Sequence, residues 1–182
     1  MVGVNADANK VLPSKLLGDG NALYIIGDTK SEFGGSLYMK KFYGVVGGVH
    51  PEVDFAKEMK LWDLIIKANE KGLLKSAKDI GVGGLAVSLS KMACIGAKGV
   101  DVKVELNNNN DLFSETLSRA IVEVTPHNVK EFEALANEIG IKVYRVGTVG
   151  GDKIKINDIV ADLSSVSKVY FNRFKEVVEQ DL

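Results

Sequence analysis

Cysteine, histidine and proline are scarce in this 182-residue chain, at one, two and three copies, and its charges nearly cancel, with 23 Lys and Arg against 24 Asp and Glu. Each scarcity excludes something. One thiol, Cys94, cannot close an intramolecular disulfide or anchor a cysteine-based metal cluster. His50 precedes Pro51 and His127 follows Pro126, and neither has a sequence-visible partner for a nucleophilic pair or a metal site. A net charge of −1 gives no electrostatic support for general binding to nucleic acid or acidic membranes. No apolar run approaches the ~20 residues that a membrane helix needs, and the first residues lack the pattern of a signal peptide. The expectation is a cytoplasmic protein with neither nucleic acid nor membrane as partner.

What remains is ordinary for a folded domain, with 46% hydrophobic and 26% charged residues. Glycine is the unusual count, at 19, and it clusters at Gly34-Gly35, Gly47-Gly48, Gly81 with Gly83-Gly84, and Gly150-Gly151. The pattern predicts strands over residues 23–27, 73–79, 100–106 and 119–125, and a hairpin of 142–149 with 152–156 around Gly150-Gly151. A helix is expected from 53 to 71, with Phe55, Met59, Trp62, Ile66 and Asn69 on one face and Lys57, Lys60, Asp63, Lys67 and Glu70 on the other. A second helix starts near Gly83-Gly84 and carries Leu85, Leu89 and Met92 on one face, with Cys94 as a buried structural thiol. Asn128 with Glu131 reads as a capping box opening a third helix that Gly140 stops. A final helix runs from 164 to 179 with Val166, Val169, Tyr170, Phe174 and Val177 inward. Residues 44–53 and 107–110 read as loops. The expected fold is α+β or α/β, a mixed sheet of five to seven strands covered by helices.

Three segments could carry chemistry. In Lys78-Asp79-Ile80-Gly81-Val82-Gly83-Gly84-Leu85 an acidic residue ends a strand and a glycine turn opens a helix. Backbone N–H groups at a helix start suit a phosphate, and Asp79 beside it could hold magnesium. The alternative is an aspartate after a tight turn, with no ligand. The spacing is neither a Walker A sequence nor a dinucleotide fingerprint. Ser114-Glu115-Thr116-Leu117-Ser118-Arg119 packs a carboxylate, three hydroxyls and a guanidinium into the mouth of a strand. It could bind phosphate or join Asp79 on a metal, or be a solvated loop. Gly27-Asp28-Thr29 with Glu32-Phe33-Gly34-Gly35-Ser36 has a similar anion- or metal-binding character, or is a surface loop.

In their order, Gly27-Asp28-Thr29, Phe33-Gly34-Gly35-Ser36, Lys78 to Val87 and Leu112-Phe113-Ser114-Glu115 resemble the C-terminal domain of the aminoimidazole ribonucleotide synthetase superfamily. Within it the chain is most similar to the synthetase subunit of phosphoribosylformylglycinamidine synthase, and to the C-terminal domain of that subunit's second half. The resemblance implies that residues 1–20 are a connecting segment and 21–182 a single C-terminal domain of a longer chain. It implies an ATP-dependent C–N ligase of purine biosynthesis, taking ammonia from a glutaminase. ATP phosphorylates the formamide oxygen of formylglycinamide ribonucleotide, and ammonia displaces the phosphate to give the amidine. Implied partners are the N-terminal domains of the same chain, the glutaminase subunit and a small accessory subunit.

Implied ligands are Mg2+ and ATP or ADP, with Asp79 on the metal and Gly81, Gly83, Gly84, Ser114, Glu115 and Ser118 near the nucleotide or its phosphates. Val82 stands where many members carry an acidic residue, and Ser114-Glu115-Thr116 where many carry a Gly-Glu-Ser turn. No catalytic residue is expected in this chain, which should be inactive alone and should expose part of a former interface. The alternatives are a sister enzyme, such as aminoimidazole ribonucleotide synthetase or thiamine-monophosphate kinase, and a non-catalytic nucleotide-binding domain.

Overall fold

The structure, a computed structural model, describes residues 7–180. Strand β1 (Ala22–Ile26) is the continuous apolar run Ala-Leu-Tyr-Ile-Ile, and every residue in it is buried. Such a run has no wet face and belongs at the centre of a covered sheet. Tyr24 and Ile26 point into one hydrophobic cluster, Leu23 and Ile25 into another on the opposite face.

The remaining strands are β2 (Leu74–Asp79), β3 (Val100–Val102), β4 (Ala120–Val124), β5 (Val143–Val149), β6 (Lys153–Ile156) and β7 (Ile159–Asp162). With β1 they form one seven-stranded mixed sheet in the order β2-β4-β1-β5-β3-β6-β7. The pair β3–β6 is parallel, and every other neighbouring pair is antiparallel. The helices are α1 (Leu37–Tyr43), α2 (Phe55–Glu70), α3 (Gly84–Gly96), α4 (Val129–Ile139) and α5 (Leu163–Gln180). Leu61, Leu64 and Ala68 of α2 meet Phe132, Leu135 and Ala136 of α4 on one face of the sheet. Leu85, Leu89 and Met92 of α3 fill the other face, where Cys94 is buried as expected. The mixed, helix-covered sheet matches the architecture expected from sequence.

The segment before β1 is part of this packing. Leu16 is buried in the α3 cluster, and its N–H donates to Met92 O at 3.2 Å. The fully buried Glu123 of β4 accepts from the N–H groups of Leu17 and Gly18, from Asn21 Nδ2 and from Ser76 Oγ. All four donors are neutral, so the carboxylate is solvated by the chain itself.

Several local expectations are corrected. β5 and β6 are not a hairpin, because β3 lies between them. Gly99 instead inserts at the Gly150-Gly151 turn, donating to Gly151 O at 2.9 Å and accepting from Gly150 N at 2.8 Å. The true hairpin is β6–β7, turning at Asn157, whose φ is +52°. The Asn157 side chain also bonds Val104 N and O, which ends β3 at Val102 rather than at residue 106. The capping box is not at Asn128, whose Nδ2 donates to Gly72 O and Leu73 O. It forms at Asn108 and Asp111, opening a 3-10 turn at Asn109–Phe113.

The stripe Phe55, Met59, Trp62, Ile66 does share a face of α2, but that face is exposed. Leu61, Leu64 and Ala68, nearly half a turn around, face the core instead. α5 likewise leaves Val169, Tyr170, Phe174 and Val177 exposed, and Val166 alone of the expected inward set packs against the core. Short apolar spacings identify a helix face but not what covers it.

Candidate functional site

Strand order brings the three sequence segments together. Ala120, at the start of β4, pairs with Ile26 at the end of β1 and with Asp79 at the end of β2. Because both neighbours run antiparallel to β4, the loop after β1, the turn after β2 and the loop before β4 meet at one edge. These are residues 27–36, 80–83 and 114–119.

Glu115 is the centre of that edge. Its Oε1 accepts the Gly83 N–H at 2.9 Å and the Leu37 N–H at 2.8 Å. Gly83 is the N-cap of α3 and Leu37 the first residue of α1. One carboxylate therefore satisfies donors at two helix starts, where a negative charge is favoured. Gly84 permits the approach: its φ is +69°, and a Cβ there would lie 2.6 Å from Ser114 O and Phe113 C. Any side chain would push α3 off the loop that carries Glu115.

Ser114 is wholly buried. Its Oγ lies 2.5 Å from Lys30 O and 2.9 Å from Thr116 Oγ1, which is itself 3.0 Å from Lys30 O. Arg119, also buried, donates from Nε to Thr116 O, from Nη1 to Thr29 Oγ1 and from Nη2 to Ser114 O, at 2.8 to 2.9 Å. Burial lowers its pKa to about 10, and Glu32 opposes the shift. The guanidinium thus remains charged at neutral pH and ties the Asp28 loop to the Ser114 loop. Ser118 has a φ of +58°, and its Oγ donates to Glu58 Oε1 of α2 at 2.9 Å.

Asp79 stands apart from this network. Its side chain is mostly exposed and pairs with Lys78 Nζ at 3.2 Å. Among the described residues, no group of three or more His, Cys, Asp or Glu is placed to hold a metal ion. The donor set fits a metal only in part, because Asp79 can offer one carboxylate to an ion that also draws on nucleotide oxygens and water.

A cavity of about 850 Å³ is lined by Asp28, Lys103, Tyr144, Arg145 and Asp158. A smaller one of about 220 Å³ touches Asp28, Lys57, Ser118 and Lys142. Asp28 lines both. It accepts from Tyr144 Oη at 2.5 Å, which holds its carboxyl below the usual range and pushes Tyr144 up to about 12. Glu58 and Tyr144 escaped the sequence reading, since no local pattern marks either as a partner of residues 60 and 116 positions away.

Residues 18–158 match the family model described as AIR synthase related protein, C-terminal domain. The chain belongs to this family. The PurL subunit of phosphoribosylformylglycinamidine synthase from Nitratiruptor sp. is 50% identical over 182 residues, all of this chain and 25% of that protein. The Sulfurovum sp. PurL subunit is 48% identical over the same span and share. The chain therefore spans about a quarter of the length of these curated relatives. Thermotoga maritima PurL complexed with FGAR has the same fold, with a TM-score of 0.75 at 18% identity, covering 88% of this chain and 30% of that one. The hydrogenase maturation protein HypE of E. coli is more distant, with a TM-score of 0.58 at 14% identity over 83% of this chain and 51% of that one. No helix among the described residues is long and apolar enough to cross a membrane.

Proposed function

We propose that this domain is the C-terminal module of an ATP-dependent amidoligase of de novo purine biosynthesis. The complete enzyme converts formylglycinamide ribonucleotide and glutamine-derived ammonia to the amidine, in the cytoplasm. One observation carries this reading: identity to PurL subunits reaches 50% and runs the full length of the chain rather than being confined to one motif. The sister-enzyme reading loses ground for the same reason. The partners are the N-terminal domains of the same protein, a glutaminase subunit and a small accessory subunit. A structure of PurLQS from Thermotoga maritima, 20% identical, is consistent with such an assembly.

The module's own contribution is structural, with an auxiliary Mg-nucleotide site at the β2–α3 turn. Asp79 would supply a carboxylate to the metal, and Gly81 and Gly83 would let the phosphates approach the backbone, while Gly84 packs against the Ser114 loop and shapes the turn. When bound, Mg2+ neutralises phosphate charge. Glu115 already occupies the Gly83 N–H, so a phosphate there must take other donors or displace it. Ser118 gives its proton to Glu58, so it reaches a phosphate oxygen only by exchanging one acceptor for another. Ser114 is buried and acts through the loop backbone. That nucleotide complexes of Thermotoga maritima PurL are known supports a nucleotide for the family's whole enzyme.

Two measurements test the proposal. The 182-residue chain should show no ammonia- and ATP-dependent turnover; sustained turnover by the pure chain would show it to be more than a module. Calorimetry with Mg-ADP should show binding that Asp79→Ala abolishes. Binding unchanged by that substitution would remove Asp79 from the site.

A further inference from the structure

Between Phe42 and Ile66 the chain exposes an unusual density of large apolar side chains. Val46 and Val49 are 77% and 89% exposed, and Phe55, Met59, Trp62 and Ile66 of α2 are 77%, 61%, 55% and 56% exposed. The four on α2 recur at intervals of 4, 3 and 4, so they form one continuous stripe along the helix. Scattered exposed apolar residues need no explanation, but a contiguous patch on a folded domain marks an interface. Trp62 is the chain's single tryptophan, and tryptophan is among the residues most enriched at interface centres.

We infer that this stripe is the seat of another part of the same, longer polypeptide: the portion of a PurL-type subunit that this chain leaves unmatched. The inference rests on the proposed reading of the chain as one module of such a subunit. Two observations choose this occupant over a second copy. The match covers all of this chain but only 25% of that relative, so three quarters of a comparable protein lies outside this segment and is available to cover the stripe. The stripe is also flanked by Glu58, next to Met59 on the same helix, which holds Ser118 of the candidate site. A neighbour seated on α2 would therefore lie beside the Glu58–Ser118 hydrogen bond. The exposed face of α5 has no comparable link to the Ser114–Arg119 loop.

The test is site-resolved thiol labelling. Met59→Cys and Ile66→Cys report the stripe, and Lys153→Cys, on an exposed position of β6, is the control. Cys94 is buried and adds little background. Each variant is made in the 182-residue chain and in a chimaera in which this chain replaces the matching quarter of the Nitratiruptor subunit. Maleimide incorporation is read peptide by peptide by mass spectrometry. Labelling at 59 and 66 should slow at least about tenfold in the chimaera, while labelling at 153 stays the same. Unchanged rates at 59 and 66 overturn the inference. So does slowing at those sites in the 182-residue chain as its own concentration rises, which would identify a second copy as the occupant. A chimaera that protects the stripe but lacks ammonia-dependent synthase activity sinks the functional reading and leaves the docking intact. An active chimaera with a freely labelled stripe does the reverse.

Discussion

Glu115 Oε1 accepts the backbone N–H of Gly83 across 32 residues of chain, at 2.9 Å. The same oxygen holds the first N–H of α1. A single acidic side chain thus fixes how the glycine turn, the α1 start and the β4 loop sit relative to one another.

Removing that carboxylate should cost stability. Glu115→Ala leaves two partly buried N–H groups without their acceptor, a loss of about 1–3 kcal/mol. Glu115→Gln keeps an acceptor oxygen and should lose less than half as much. Urea unfolding of both variants checks the ranking, and equal losses would mean that the charge, not the hydrogen bonds, carries the effect.

Gly84→Ala should be worse than an ordinary glycine replacement. The new Cβ would meet backbone atoms 2.6 Å away, and the residue would keep a positive φ. The expected loss is at least about 2 kcal/mol, combining backbone strain with displacement of the Ser114 loop. A drop in midpoint of less than about 4 °C in thermal unfolding would contradict this.

Glu123→Ala should release the segment before β1. Four neutral donors converge on that buried carboxylate, and their abandonment should cost about 3 kcal/mol or more. Hydrogen exchange at Leu17 and Gly18 should accelerate before the sheet amides do. Uniform acceleration would show that the segment and the sheet open as one unit.

The Tyr144–Asp28 pair sets a pH dependence with two edges. The Tyr144 pKa is raised to about 12, so its contribution is complete below the ordinary tyrosine pKa near 10 and is lost as pH rises towards 12. The Asp28 pKa is lowered, so its contribution is present above the ordinary aspartate pKa near 4 and is lost as pH falls through the depressed folded value. Tyr144→Phe should raise the Asp28 pKa, measured by NMR of the carboxyl carbon. An unmoved Asp28 would show that Lys142, 3.7 Å away, rather than the phenol, sets its charge.

The strand β1, helices α2, α3, α4 and α5 and the glycine turn before α3 were legible because each rests on local chemistry. An all-apolar run, apolar residues at helical spacing, and glycine where the backbone turns are properties of short windows. The segments of the candidate site were legible for the same reason: Asp28, Asp79 and Arg119 stand at or beside strand ends, and Glu115 lies in the short loop that leads into β4. The short β7 and α1 were not, since neither has enough residues for a period to show.

Neighbour relations were decided only in three dimensions. The Gly150-Gly151 turn looks like a hairpin until Gly99 enters between its strands, because strand order depends on where β3 finds unpaired backbone. The α2 stripe looks like a core face, yet Leu61, Leu64 and Ala68 outcompete it for the sheet. Glu115 looks like a ligand for something absent, but the paired ends of β1, β4 and β2 set it against two helix starts of its own chain. The sequence by itself determined the longer helices and most strands, and marked the residues that are candidates for an anion or a metal. Only the tertiary structure decided which donors those residues meet, since a carboxylate's partner is set by strand register and not by its neighbours in sequence.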